Sequence, residues 1–118
     1  ISGVKINTDQ NVEEMNKFYN EFADEITLVN YDPWQSSYEN PINEIEEPCT
    51  ELYRRMFVWW DGKVNPCDHD YKSLLSKWNI KDHSVKSIWN SDNYNELRKL
   101  HQQKKRSQLE PCNRCLST

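Results

Sequence analysis

Cys49, Cys67, Cys112 and Cys115 are the residues of this sequence best suited to chemistry. Four thiols can pair as disulfides, bind a metal as thiolates or stay free, and spacing does most of the discrimination. Cys112-x2-Cys115 is too tight for an ordinary structural disulfide between its own members, but it readily places two thiolates on one metal or one cluster. With no secretory leader in view, disulfides rank below metal binding. A redox Cys-x2-Cys usually opens a helix after a strand, whereas this one closes the chain. Zinc and iron-sulfur both accept four thiolates, and a zinc ribbon would usually show two Cys-x2-Cys knuckles. Only one is present, so the pattern leans away from zinc and leaves both open.

Cys49 and Cys67 need a device to bring them together. Arg54 to Trp60 and Lys63 to Cys67 flank Asp61-Gly62, a strong hairpin signal in which Gly62 supplies the positive φ of the turn. A two-residue loop sets Trp60 opposite Lys63, Trp59 opposite Val64 and Met56 opposite Cys67. Cys67 then lies at the open end of the ribbon, and Cys49, upstream of the first strand, is brought to the same end. The segment 68–82 reads as irregular. Ser84 can cap a short helix with Val85, Ile88 and Trp89 on one face, and Ser91 a second whose stripe is Tyr94, Leu97 and Leu100 or His101. Its basic end, Lys104-Lys105-Arg106, meets the helix dipole. Glu110-Pro111 stops the helix and delivers Cys112 and Cys115.

Upstream, Val4 to Ile6 reads as a strand, Val12, Met15, Phe18, Tyr19 and Phe22 recur at helical spacing, and Glu25 to Asn30 reads as a second strand. Asn11 with Glu14 resembles a capping box. This is a βαβ unit, which implies a parallel pair. Two strands alone make no stable sheet, so the unit is expected to be the tail of a larger α/β body. From Asp32-Pro33 through Glu46-Glu47-Pro48 the chain is polar, carries three prolines and shows no period, as a linker does.

The 118 residues suffice for one modest core. Charged residues make up 29% against 36% hydrophobic, and mean hydropathy is -1.03, so five Trp, six Tyr and three Phe must supply much of the interior. A metal staple would help such a thin core. A formal charge of -4 removes a general electrostatic case for nucleic acid or an anionic membrane. No stretch approaches the roughly 20 apolar residues of a membrane span, so the chain is expected to be soluble. It begins with Ile1, which points to a piece of a longer protein, with a processed mature chain as the alternative.

Cys49-x12-Gly62-x4-Cys67, enclosing Trp60-Asp61-Gly62-Lys63-Val64-Asn65-Pro66-Cys67, resembles the SPASM-type auxiliary-cluster domain of radical S-adenosylmethionine (radical SAM) enzymes. Ser84-Val85-Lys86-Ser87-Ile88-Trp89-Asn90, then Leu97-Arg98, then Pro111-Cys112-x2-Cys115 follow in the family's order, so the likeness covers about residues 48 to 118. It implies an α+β chain: residues 1–47 as the terminal βαβ of a partial (β/α) barrel plus linker, and residues 48–118 as a twitch-like or SPASM-like domain of hairpin and helices. It further implies that Cys49, Cys67, Cys112 and Cys115 bind one auxiliary 4Fe-4S cluster serving electron transfer or closure of the active site. Implied partners are an N-terminal barrel of the same protein, a peptide or sugar substrate, and a redox donor such as ferredoxin or flavodoxin in the cytoplasm. S-adenosylmethionine and a second 4Fe-4S cluster belong to that N-terminal part. The alternative is a non-enzymatic module stapled by zinc through the same thiolates.

The sequence departs from the family pattern at three places. No cysteine follows Cys115, so a second auxiliary cluster is not expected. Trp78 replaces the usual Gly before Asn79-Ile80. The barrel's Cys-x3-Cys-x2-Cys is missing, so these residues alone are not expected to catalyse the radical step. Among other candidates, His69 reads as a solvent-facing loop histidine ahead of a ligand or hydrogen-bond donor near the cluster, His83 and His101 as loop and helix-surface residues, Asp68 and Asp70 as acids of a polar loop ahead of a carboxylate site, and Trp59 and Trp60 as packing across the hairpin and against the following helices ahead of a substrate groove. Arg98 reads as structural support.

Overall fold

Asn11 sets the first helix: its side chain accepts from the Glu14 backbone N–H at 3.0 Å and donates to the Glu14 carboxylate at 3.2 Å. The helix α1 (Val12–Tyr19) carries Glu13 and Glu14 in its first turn. It connects β1 (Ser2–Lys5) to β2 (Thr27–Asn30), which pair in parallel from Ser2 opposite Thr27 to Lys5 opposite Asn30. The computed structural model describes all residues, Ile1–Thr118, and divides them into two compact units, Ile1–Pro33 and Trp34–Thr118. In the first, no residue of α1 is buried. Phe18, Tyr19 and Phe22 stack edge to face, and Phe18 and Phe22 are each more than half exposed.

The second unit contains α2 (Ser36–Glu39), α3 (Glu51–Arg54), β3 (Phe57–Val58), β4 (Lys63–Asn65), β5 (Trp78–Asn79), α4 (Val85–Trp89) and α5 (Asp92–Gln102), with a 3-10 turn at Arg106–Gln108. Its sheet is antiparallel in the order β3-β4-β5. Val64, Ile88 and Tyr94 form the core, with Met56, Trp78 and Trp89 packed around it. The caps of α4 and α5 are the expected ones: Ser84 accepts from the Ser87 N–H at 3.2 Å and Ser91 from the Tyr94 N–H at 3.4 Å. Arg98 ties three elements together. Its guanidinium donates to the carbonyls of Leu52 and Trp89 and lies 4.3 Å over the Trp89 ring.

The structure differs from several of the expectations. The hairpin register is shifted by one, because the loop holds three residues: Val58 pairs with Val64, and the Trp59 N–H donates to the Lys63 carbonyl at 2.8 Å. The Asp61 carboxylate accepts from the Lys63 N–H at 2.9 Å, which fixes this longer turn and leaves Trp60 at its tip 97% exposed rather than packed. The strands are shorter than expected, and Glu51–Arg54 is helical. Segment 68–82 is not wholly irregular, since Trp78–Asn79 adds the third strand, and the stretch read as a linker contributes α2. Lastly, α5 ends at Gln102, where Lys104 takes φ +60°. The Lys105 N–H returns to the Leu100 carbonyl at 2.8 Å and the Lys104 N–H to that of His101 at 3.1 Å, a Schellman turn with Lys where Gly is usual.

Gly62 has φ +89°, and a Cβ built there would lie 2.5 Å from the Asn79 Oδ1. Gly62→Ala is therefore expected to destabilise the chain by about 2 kcal/mol. Thermal unfolding followed by circular dichroism checks this, and an unchanged midpoint would mean that the turn relaxes freely. No helix is long and apolar enough to cross a membrane.

Candidate metal centre

Each cysteine reaches the site on a different local device. Cys49 lies just before α3, and its backbone N–H donates to the His101 Nδ1 at 3.2 Å. Cys67 follows β4 through the buried Pro66. Cys112 and Cys115 sit on a tight turn in which the Arg114 and Cys115 N–H groups both donate to the Pro111 carbonyl, at 2.9 and 3.1 Å. All four are free thiols, and all four line one cavity in the second unit, whose apolar wall includes Leu52, Pro66, Leu75 and Pro111.

Burial dominates the electrostatics of Cys49, Cys67 and Cys112. Desolvation pushes Cys67 well up, Cys49 up and Cys112 up to about 12; the negative charge that neighbouring cysteines would carry adds to each. The Arg106 guanidinium acts in the opposite direction on Cys49 and Cys112. Four mutually repelling thiolates in a low-dielectric wall are an arrangement that a bound cationic centre stabilises, because metal coordination ionises thiols outright. The donor set thus fits a thiolate-held centre. No three His, Cys, Asp or Glu side chains gather closely enough to hold a single ion. The thiols surround a space instead of meeting at a point.

Arg106, expected as an exposed helix-end cation, is buried with 1% exposure. Its Nε donates to the Cys112 carbonyl at 3.0 Å and its Nη2 to the Cys115 carbonyl at 2.7 Å, and Nη1 reaches the Glu47 carbonyl at 3.5 Å. It clasps the Cys-x2-Cys turn and brings its charge to the cavity wall. His101, expected on a helix surface, is fully buried and lines the cavity. Burial holds its ring down at about 4, and the Arg106 charge adds to this. The spacing Tyr94, Leu97, His101 carried that burial signal, since those three are the buried residues of α5. His69 also lines the cavity rather than facing solvent, with Nδ1 2.9 Å from the Ser37 hydroxyl and Nε2 3.3 Å from that of Ser117.

Asp70 is fully buried and organises the loop after Cys67. Its carboxylate accepts from the Leu74 and Leu75 N–H groups, both at 2.9 Å, and from the Tyr38 hydroxyl. Asp68 has no such network and is partly exposed.

The model of the SPASM family, described as an iron-sulfur cluster-binding domain, matches residues 49–116, more than half of the chain. Among solved structures, BtrN in an open conformation, as its selenomethionine form, is 18% identical with a TM-score of 0.61; the match covers 97% of this chain and 56% of that one. BtrN in complex with AdoMet and 2-DOIA is 15% identical with a TM-score of 0.67, covering 98% of this chain and 50% of that one. These likenesses are of fold, and the chain spans about half the length of both. No protein of curated function matches.

Proposed function

Because the chain belongs to the SPASM family of iron-sulfur cluster-binding domains, we propose that Cys49, Cys67, Cys112 and Cys115 hold one 4Fe-4S cluster, auxiliary to the radical chemistry of a radical SAM enzyme. The observation that carries this is the convergence of all four thiols on one cavity. A 4Fe-4S core offers a separate iron to each thiolate, which suits thiols spread around a wall better than a single zinc ion does. When bound, a cluster with all four irons ligated supplies one-electron transfer and has no open iron for substrate. Leu52, Leu75, Pro66 and Pro111 keep water from it, and Arg106 sets a positive charge beside it.

The parallel β1–β2 pair and the exposed aromatic face of α1 support reading the first unit as the end of a partial (β/α) barrel, with the rest of that barrel N-terminal in the same protein. In this proposal the preceding part binds S-adenosylmethionine and the radical-generating cluster, as the AdoMet complex of BtrN encourages. The substrate class is a peptide or a sugar, and the electrons come from a ferredoxin- or flavodoxin-like donor in the cytoplasm.

Anaerobic reconstitution with ferrous iron and sulfide tests the centre. The expected result is about four irons per chain with the broad visible absorption of a thiolate-ligated cluster, and a large loss of both in Cys67→Ala. Uptake of one zinc per chain in place of iron would overturn the assignment.

A further inference from the structure

His101 presents a polar atom that the fold leaves unused. Its Nδ1 accepts the Cys49 N–H at 3.2 Å, so that nitrogen carries no proton and the ring proton resides on Nε2. The Nε2 is buried, has no hydrogen-bond partner in the protein, and belongs to a ring with no solvent exposure. Orphaned buried donors are rare and unfavourable in native proteins. Here the ring also lines the cavity on which the four thiols converge, and its helix α5 fixes it there through the buried neighbours Tyr94 and Leu97.

Thiolates and cluster sulfides are anionic acceptors, and Nε2–H is a donor held ready for one. We propose that His101 is a positioning and tuning residue of the centre: Nδ1 fixes the Cys49 backbone while Nε2–H donates to a sulfur of the bound cluster, raising its reduction potential. The inference rests on the assignment of an iron-sulfur cluster to this cavity. The hydrogen bond stabilises the more negative, reduced form more than the oxidised form, since hydrogen bonds to sulfur are among the factors that set cluster potentials.

The two nitrogens can be separated by substitution. Asn places an oxygen near the position of Nδ1 and keeps an acceptor for the Cys49 N–H, but has no group reaching the position of Nε2. Gln reaches that position with an N–H donor and lacks the nearer acceptor. The full chain, reconstituted anaerobically with iron and sulfide, is titrated at an electrode through mediators, each cluster taking up one electron. In His101→Asn the iron content is expected to hold while the equilibrium constant for reduction falls about tenfold, a shift of about 59 mV to more negative potential for a one-electron couple. His101→Gln is expected to stay within about half that shift of the parent. A purely structural histidine gives the reverse, with Asn at the parental potential and Gln displaced, and that result would overturn the inference.

Should neither variant load iron, parent protein carrying 15N-labelled histidine decides. A histidine 15N coupling to the reduced cluster in electron-nuclear double resonance supports the hydrogen bond, and its absence overturns it. If the parent chain itself takes up no iron, the cluster assignment falls, an outcome distinct from a loaded cluster indifferent to His101.

Discussion

Arg106→Met is expected to lower the stability of the iron-loaded chain by about 3 kcal/mol, since the Cys112 and Glu47 carbonyls lose the donor it supplies and the Cys115 carbonyl keeps only the Asn43 side chain, at roughly 1 to 3 kcal/mol for each abandoned bond. The guanidinium is 1% exposed and reaches the carbonyls of Cys112, Cys115 and Glu47 along three directions. Met fills much of the same volume, so the loss reports hydrogen bonds and charge more than a cavity. Arg106→Lys restores the charge but offers one ammonium where three separately aimed N–H groups are needed, so it should recover less than half of the loss. Anaerobic thermal unfolding with iron analysis before and after provides the measurement. A Met variant that melts with the parent and keeps its iron would show that the Cys-x2-Cys turn holds its shape without the clasp.

That residue also marks a limit of what the sequence discloses. A run of Lys104-Lys105-Arg106 after an amphipathic stretch has the pattern of a solvated helix end, and Lys104 and Lys105 are indeed exposed. The turn that sends Arg106 inward depends on Lys104 adopting a left-handed conformation, where the residue that usually announces such a turn is Gly. The hairpin was legible because Asp61-Gly62 is a strong local signal and φ at Gly62 is positive as expected. Its register was not, because the three-residue loop is held by the Asp61 carboxylate on the Lys63 N–H together with Asn79 and Ile80 of the later chain, and a one-residue change moves every pairing. The cysteines were legible by type and spacing, and their shared cavity agrees with the order of elements around them. What escaped were the polar partners between those elements: Arg106 and Asp70 look like surface residues until their acceptors and donors are known, and His101, though on the buried stripe of α5, meets Cys49 52 residues away.

Asp70 gives the clearest case, and the second large effect. Its partner Tyr38 lies 32 residues earlier, in the stretch that read as a linker, so no local pattern could pair them. Burial pushes the Asp70 carboxyl up, and the bonds from Tyr38, Leu75 and Leu74 draw it back. Asp70→Ala leaves the Tyr38 hydroxyl and the Leu74 and Leu75 N–H groups without their acceptor. The expected loss is about 3 kcal/mol, roughly 1 kcal/mol for each abandoned part-buried donor.

The effect should reach the metal centre. The Asp70 carbonyl accepts from the fully buried Asn65 side chain at 2.7 Å, Asn65 ends β4, and Cys67 lies between the two. Loosening this loop therefore frees Cys67 and should raise the rate of iron loss to a chelator. Tyr38→Phe removes one of the three bonds to the carboxylate, so alone it should destabilise by about 1 kcal/mol. In Asp70→Ala it should have almost no further effect, because the hydroxyl has already lost its acceptor. Denaturant unfolding of the four proteins of this cycle gives the coupling, and amide exchange gives the local signature. Leu74 and Leu75 N–H groups should be protected in the parent and in Tyr38→Phe, and exchange rapidly in Asp70→Ala. Additive losses with unchanged protection at both leucines would mean that Asp70 is merely buried and does not hold the loop behind Cys67.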